Sequence, residues 1–147
     1  MGSRCPCSGS AKRDPIAQNR LMGITYDAGA LVAADRGERK MWDRHRALLK
    51  LRQVPTVPAP VVAQGWRGGS RQARLARFLV GCNVERLDDD QARRVGELLA
   101  KAARTDVVDA TVVEGALRRN DVVVSSDPQD LHLLAAAVHR HLEVSRP

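Results

Sequence analysis

Val122-Val123-Val124-Ser125-Ser126-Asp127-Pro128-Gln129 places a strand, an acid and a helix start side by side. Consecutive valines suit a buried strand, because β-branched side chains fit a pleated surface. Asp followed by Pro reads as a helix entry, with the acid at the N-cap and Pro at the first helical position. The same plan stands earlier in the chain, where Gly23–Tyr26 forms a short strand, Asp27 follows, and Ala28–Ala34 is helical.

Working outward, the intervening segments repeat the alternation. Glu38–Gln53 is helical, with Met41, Trp42, His45, Leu48, Leu49 and Arg52 spaced by three and four. Thr56–Pro58 is a second strand, and Val61–Trp66 begins a helix after Pro60. Beyond Gly68-Gly69, helix resumes over Ser70–Leu79. Asn83–Leu87 is the third strand, Asp88–Ala103 a long helix with an acidic first turn, and Asp106–Arg119 a further helix. The fourth strand spans Val122–Ser126, the next helix Gln129–His139, and Leu142–Val144 closes as a fifth strand. Strands separated by helices imply an α/β fold with a mainly parallel sheet covered on both faces. Ligands of such sheets bind outside the carboxyl ends of the strands, so the residues just after each strand are the ones to inspect.

A length of 147 residues accommodates one domain and is too short for two. With Tyr26, Trp42, Trp66 and Phe78 as the only aromatic residues, the core must be built from Val, Leu and Ala. Residues 1–21 are polar and rich in Ser, Gly, Pro and basic residues, and are expected to form a disordered extension before a domain over 22–147. The net charge of +7 favours a polyanionic partner, nucleic acid being the commonest, although Arg decorating solvated helix faces accounts for it equally. Cys5, Cys7 and Cys82 make no disulfide framework, which fits a reducing cytoplasm. No apolar run has the length to cross a membrane and no signal-peptide core follows the N-terminal basic residues, so a soluble cytoplasmic protein is expected.

Three acids stand out: Asp27 and Asp127 at strand ends, and Asp109 within Thr105-Asp106-Val107-Val108-Asp109-Ala110. Capping accounts for Asp27, Asp106 and Asp127 taken singly. Asp109 resists that reading, because it lies inside a helix between apolar neighbours and a buried carboxylate needs a partner. If the first and fourth strands are neighbours, Asp27 and Asp127 share a crevice that Asp109 can reach. Carboxylates without Cys or an evident His favour Mg²⁺ or Mn²⁺ over zinc. Such ions bind phosphate oxygens and activate water, so with the positive charge the natural candidate chemistry is phosphodiester hydrolysis.

In order and separation, three stretches are similar to motifs of one family: Ile24-Thr25-Tyr26-Asp27-Ala28-Gly29-Ala30-Leu31, Asp106-Val107-Val108-Asp109-Ala110 and Val123-Val124-Ser125-Ser126-Asp127-Pro128-Gln129-Asp130-Leu131. Over residues 23 to 145 the chain resembles the PIN domain, particularly the VapC-like toxin ribonucleases of type II toxin–antitoxin systems. The resemblance implies a three-layer α/β/α sandwich, dependence on Mg²⁺ or Mn²⁺, and RNA as substrate. It also implies a homodimer and a cognate antitoxin protein whose tail occupies the active-site groove. On this resemblance Asp27, Asp109 and Asp127 are the catalytic and metal-binding acids, Ser126 is the small hydroxyl residue beside the last of them, and Asp106 and Asp130 play supporting roles.

One position departs from the family. A Glu is usual on the helix after the second strand, where this chain has Gln64. Gln offers a carbonyl oxygen but no charge, so metal affinity is expected to be lower. Arg67, beside two glycines, is a candidate for bidentate pairing with RNA phosphate, against the reading of a surface Arg at a helix end. His45 is expected to be a satisfied core or interface residue, and Trp42 and Trp66 packing or dimer-contact residues.

The alternative within the family is a catalytically weak PIN domain that binds RNA or its partner. A receiver-like domain would need an acidic pair early in the chain and a late Lys. A haloacid-dehalogenase-type phosphatase would need Asp-x-Asp, where Gly29 stands second here; both are disfavoured.

Overall fold

Strands of two or three residues cannot hold a sheet by their ladders alone, so the packing of helices on both faces must supply most of the stability. The computed structural model describes residues 22–147; the expected N-terminal extension, with Cys5 and Cys7, lies outside them. Within that span the strands are β1 (Ile24–Tyr26), β2 (Thr56–Pro58), β3 (Asn83–Glu85), β4 (Val122–Val124) and β5 (Val144–Ser145). The helices are α1 (Ala28–Asp35), α2 (Arg39–Lys50), α3 (Ala59–Gly65), α4 (Ala73–Val80), α5 (Asp89–Ala102), α6 (Val107–Arg119) and α7 (Pro128–Ala136), with a 3₁₀ turn at Ser70–Gln72 before α4.

All five strands are parallel, in the order β3-β2-β1-β4-β5. β1 sits in the middle, with Thr25 opposite Thr56 on one side and Val123 on the other. The chain therefore builds outward to β3, then returns to β4 on the far side of β1. That reversal makes the carboxyl ends of β1 and β4 a topological switch point, the place where open α/β sheets open a crevice.

Alternation along β1 sends neighbouring side chains to opposite faces. Tyr26 packs with Phe78 of α4, ring centroids 5.3 Å apart, and its hydroxyl shares a 3.2 Å hydrogen bond with Nδ1 of His45 on α2. His45 is buried, packs on Phe78 and has its pKa lowered by burial, so it is a satisfied core residue as expected. Trp42 packs edge-on to the same cluster. Thr25 faces the other way, toward α6, whose residues Ala110 to Ala116 are all buried. With α5 and α7 against α6, and α1, α2 and α4 on the Tyr26 side, the architecture is the three-layer α/β/α sandwich.

Beneath α6 the buried polar groups are joined in one network. Thr25 Oγ1 donates to Asp121 Oδ2 at 2.7 Å, and Arg119 donates to both, at 2.9 and 2.8 Å. Arg119 also pairs with Glu85 at the end of β3, which Arg118 reaches at 2.7 Å. Arg118 continues to Glu114, which Arg94 and Gln91 bind from α5. Burial alone would raise the Glu114 carboxyl, but its bonds from Arg94, Gln91 and Arg118 hold it below the usual range.

Several boundaries differ from the sequence reading. α3 begins at Ala59, because Pro60 lies within its first turn, where no N–H is needed. Arg52 and His139 take left-handed conformations, so α2 stops at Lys50 and α7 at Ala136. Ser70–Gln72 forms a 3₁₀ turn ahead of α4. β3 ends at Glu85, opposite Pro58, because its partner β2 ends there. β5 falls at Val144–Ser145, and Leu142 is a buried core residue ahead of it. Asp88 and Asp106 cap their helices, and Ala103 and Asn120 close them in left-handed conformations. Among the described residues no helix is long and apolar enough to cross a membrane.

Candidate active site

Asp27 follows β1 directly, and its N–H donates to the Val124 carbonyl at 3.0 Å, extending the β1–β4 ladder by one step. Its carboxylate is buried, at 6% exposure. Oδ2 accepts a 2.7 Å bond from the Ser125 hydroxyl, while Oδ1 is buried without any hydrogen-bond partner. Although it occupies the N-cap position of α1, Asp27 makes no side-chain cap bond. A carboxyl oxygen withdrawn from water and left unpaired is costly.

Asp127 lies beyond β4 and is exposed. It too sits at an N-cap position, that of α7, without a side-chain cap bond, and its N–H donates to Ser125 Oγ at 3.1 Å. The Ser125 hydroxyl thus joins the Asp27 carboxylate to the backbone of Asp127. The hydroxyl marked by the family motif, Ser126, sits over Gly29 instead. Register is the signal for Ser125: Tyr26 is paired with Val124, so one step further along both chains Asp27 lies beside Ser125.

Asp109 lies half-buried in the first turn of α6. Its N–H donates to Asp106 Oδ1 at 3.0 Å, so Asp106 is a true helix cap. The Asp109 carboxyl is pushed up to about 6 by burial first, then by the negative charges of Asp106, Asp27, Asp130 and Asp127. The acids named from the sequence therefore share one electrostatic field. A cavity of about 200 Å³ opens beside Asp109, lined by Arg104, Thr105, Asp106, Asp130 and Leu134. Arg104 pairs loosely with Asp130 at 3.4 Å. Among the described residues, no three His, Cys, Asp or Glu side chains are grouped closely enough to form a ready-made metal cluster.

Gln64 stands exposed on the last turn of α3. Arg67 folds back on that helix, Nη1 donating to the carbonyls of Ala63 at 3.1 Å and Trp66 at 2.7 Å. That contact is the helix-end role its position suggested, and it leaves the rest of the guanidinium fork exposed.

Two predictions arise from this geometry. A Cβ at Gly29 would stand 2.3 Å from Ser126 Oγ and 2.7 Å from its backbone N, which cannot rotate away. Gly29→Ala should therefore push the Ser125-Ser126 loop off α1, costing about 1–3 kcal/mol in a denaturant melt. A melt matching wild type would show that the loop yields freely. Asp109 supplies the second. A carboxyl raised from 3.8 to about 6 on folding contributes stability that is full below 3.8 and lost as pH rises through about 6. Asp109→Asn should thus stabilise the protein above pH 6 without divalent cations, by about 1 kcal/mol once solvent screening is allowed for. That gain should disappear near pH 4; equal melting of the two proteins at every pH would contradict the shared acidic field.

No protein-family profile and no curated protein sequence matches the chain. Solved structures do match. The crystal structure of VapBC2 from Rickettsia felis, bound to a DNA fragment from their promoter, superposes with a TM-score of 0.63 at 14% identity, covering 86% of this chain and 99% of that one. The fold is that of a VapC-like PIN domain. PAE2754 from Pyrobaculum aerophilum matches with a TM-score of 0.56 at 16% identity, over 84% of this chain and 83% of that one. In this PIN fold the β1–β4 switch point is where Asp27 and Ser125 meet.

Proposed function

We propose that the chain is an Mg²⁺- or Mn²⁺-dependent endoribonuclease, and the toxin of a toxin–antitoxin pair. The observation that carries this reading is the buried Asp27 carboxylate at the β1–β4 switch point, with Oδ1 unpartnered beside an acidic field strong enough to shift Asp109. The VapC-like fold supports it, and the net charge of +7 suits an RNA substrate.

The donor set fits a hard divalent cation. An unpaired carboxylate oxygen and acids that repel one another both gain from a positive charge, and Mg²⁺ keeps several waters and needs few protein ligands. Asp27, Asp109 and Asp127 would hold the ion. When bound, it supplies polarisation of the phosphodiester and activation of water at neutral pH. Ser125 fixes the orientation of Asp27 through its hydroxyl. Asp106 holds the first turn of α6, and Asp130 adds negative charge from α7. Gln64 contributes no charge, so the site binds its ion more weakly than a set with Glu there. Arg67 contacts RNA phosphate through its free donors.

The same reading includes a homodimer and an antitoxin partner. VapBC2 is a two-component assembly by its name. On this chain an apolar hollow of about 380 Å³, lined by Val62, Trp66, Ala76, Leu79 and Val80, supports contact with another protein.

A second reading, an RNA- or partner-binding PIN domain with little catalysis, is favoured by Gln64 in place of the usual Glu. The test is incubation of wild type with a labelled RNA in Mg²⁺, Mn²⁺ or EDTA. Internal cleavage with either metal and none with EDTA is expected. Intact RNA under every condition would favour the binding reading.

A further inference from the structure

We propose that a recess between α2 and α4 binds the phosphate backbone of single-stranded RNA, away from the acidic crevice. It has a volume of about 310 Å³ and is lined by Gly37, Arg39, Trp42, Arg46, Arg74 and Arg77. Asp27 precedes the first residue of α1 and Gly37 follows its last turn, so the eight-residue helix, about 12 Å long, separates the two places.

The recess has a fixed floor. Trp42 Nε1 donates to the Ala34 carbonyl at 3.0 Å, anchoring the indole, and the Arg46 guanidinium lies over that ring at 5.7 Å. Gly37, with φ of +73°, lets Arg74 lie against its backbone; a Cβ there would stand 3.0 Å from Nη1. Charge balance is the decisive feature. Arg39 and Arg46 share a single carboxylate, Asp43, at 3.6 Å each, while Arg74 and Arg77 have no carboxylate partner among the described residues. Guanidiniums gathered in this way repel one another, and an anion relieves that repulsion.

The ligand's chemistry follows from the donors. Planar guanidinium forks match phosphate oxygens bidentately. Arg39 and Arg46 lie two turns apart on α2, and Arg74 and Arg77 one turn apart on α4, so the forks form two facing rows rather than one pocket for a single ion. A nucleic-acid strand presents a negative charge at every nucleotide and can meet both rows. The terminal segments are themselves basic: residues 1–21 hold Arg4, Lys12, Arg13 and Arg20 against Asp14 alone, and Ser145-Arg146-Pro147 carries Arg146. The choice of RNA rests on the proposed function; the recess itself does not depend on cleavage.

The test is fluorescence anisotropy of a labelled single-stranded RNA of about twelve nucleotides with the full chain in EDTA, over a series of salt concentrations. Arg74→Ala/Arg77→Ala should weaken binding about tenfold and reduce the log–log salt slope by about 1.4, the loss of two phosphate contacts. The charge-matched control Arg93→Ala/Lys101→Ala, on α5, should weaken it far less. All four residues are exposed, so thermal melts should match wild type and exclude unfolding. Equal weakening in both variants, an unchanged slope, no binding by wild type, or preference for an acidic peptide over RNA would each overturn the proposal. Since the metal is absent, the two readings fail separately. Binding that depends on Arg74 and Arg77 without any cleavage leaves the recess standing and removes the nuclease; cleavage with binding indifferent to them does the reverse.

Discussion

Asp27→Asn should reduce RNA cleavage about a thousandfold while leaving the fold intact. Loss of a carboxylate that holds the metal removes several kcal/mol of transition-state stabilisation, at about 1.4 kcal/mol per decade of rate. The fold should survive for a local reason. Asn keeps one oxygen to accept the Ser125 hydroxyl, and it removes a charge whose other oxygen is buried without a partner. Rate constants at saturating Mn²⁺, read beside thermal melts, check both halves. A variant that melts normally and still cleaves at near wild-type rate would remove Asp27 from the mechanism.

Arg119→Met should cost about 3 kcal/mol of stability, or roughly 10 °C in melting temperature. Arg119 is one side chain serving three partners: Asp121, Thr25 and Glu85. Met fills much of the volume but leaves the Asp121 carboxylate, 5% exposed, with the Thr25 hydroxyl as its only remaining hydrogen-bond partner among the described residues. Most of the loss comes from that stranded charge rather than from the pair itself. Adding Asp121→Asn should accordingly restore part of the stability, since the neutral amide is cheaper to bury. No loss in the single variant, or no recovery in the double, would contradict this account of the network.

The architecture was legible because its signals are local. The valines of β4, the Ile24-Thr25-Tyr26 run and the acid after each strand are contiguous, and α5 announces itself by its acidic first turn. The site was legible as a set of acids but not in its contacts. Asp106 looked like Asp27 and Asp127 in sequence, yet it alone of the three makes a side-chain cap bond, because only the positions of neighbouring N–H groups separate a cap from a free carboxylate. Ser125 bonds Asp27 across the β1–β4 pairing, a contact between residues 98 positions apart that adjacency to Asp127 in the chain does not reveal. The Thr25–Arg119–Asp121 network joins residues more than ninety positions apart, which no local pattern reveals. In sequence the arginines of α2 and α4 fit surface decoration and a polyanion-binding face equally, and only the packing places the two sets around one recess.

The central claim is that Asp27 and its neighbours hold a divalent cation, and Mn²⁺ titration of the full chain, followed by loss of the free-ion electron paramagnetic resonance signal, tests it without any RNA. Wild type should bind Mn²⁺, and Asp27→Asn should bind it at least about tenfold more weakly, a difference of about 1.4 kcal/mol. Equal affinity in the two proteins would contradict the claim.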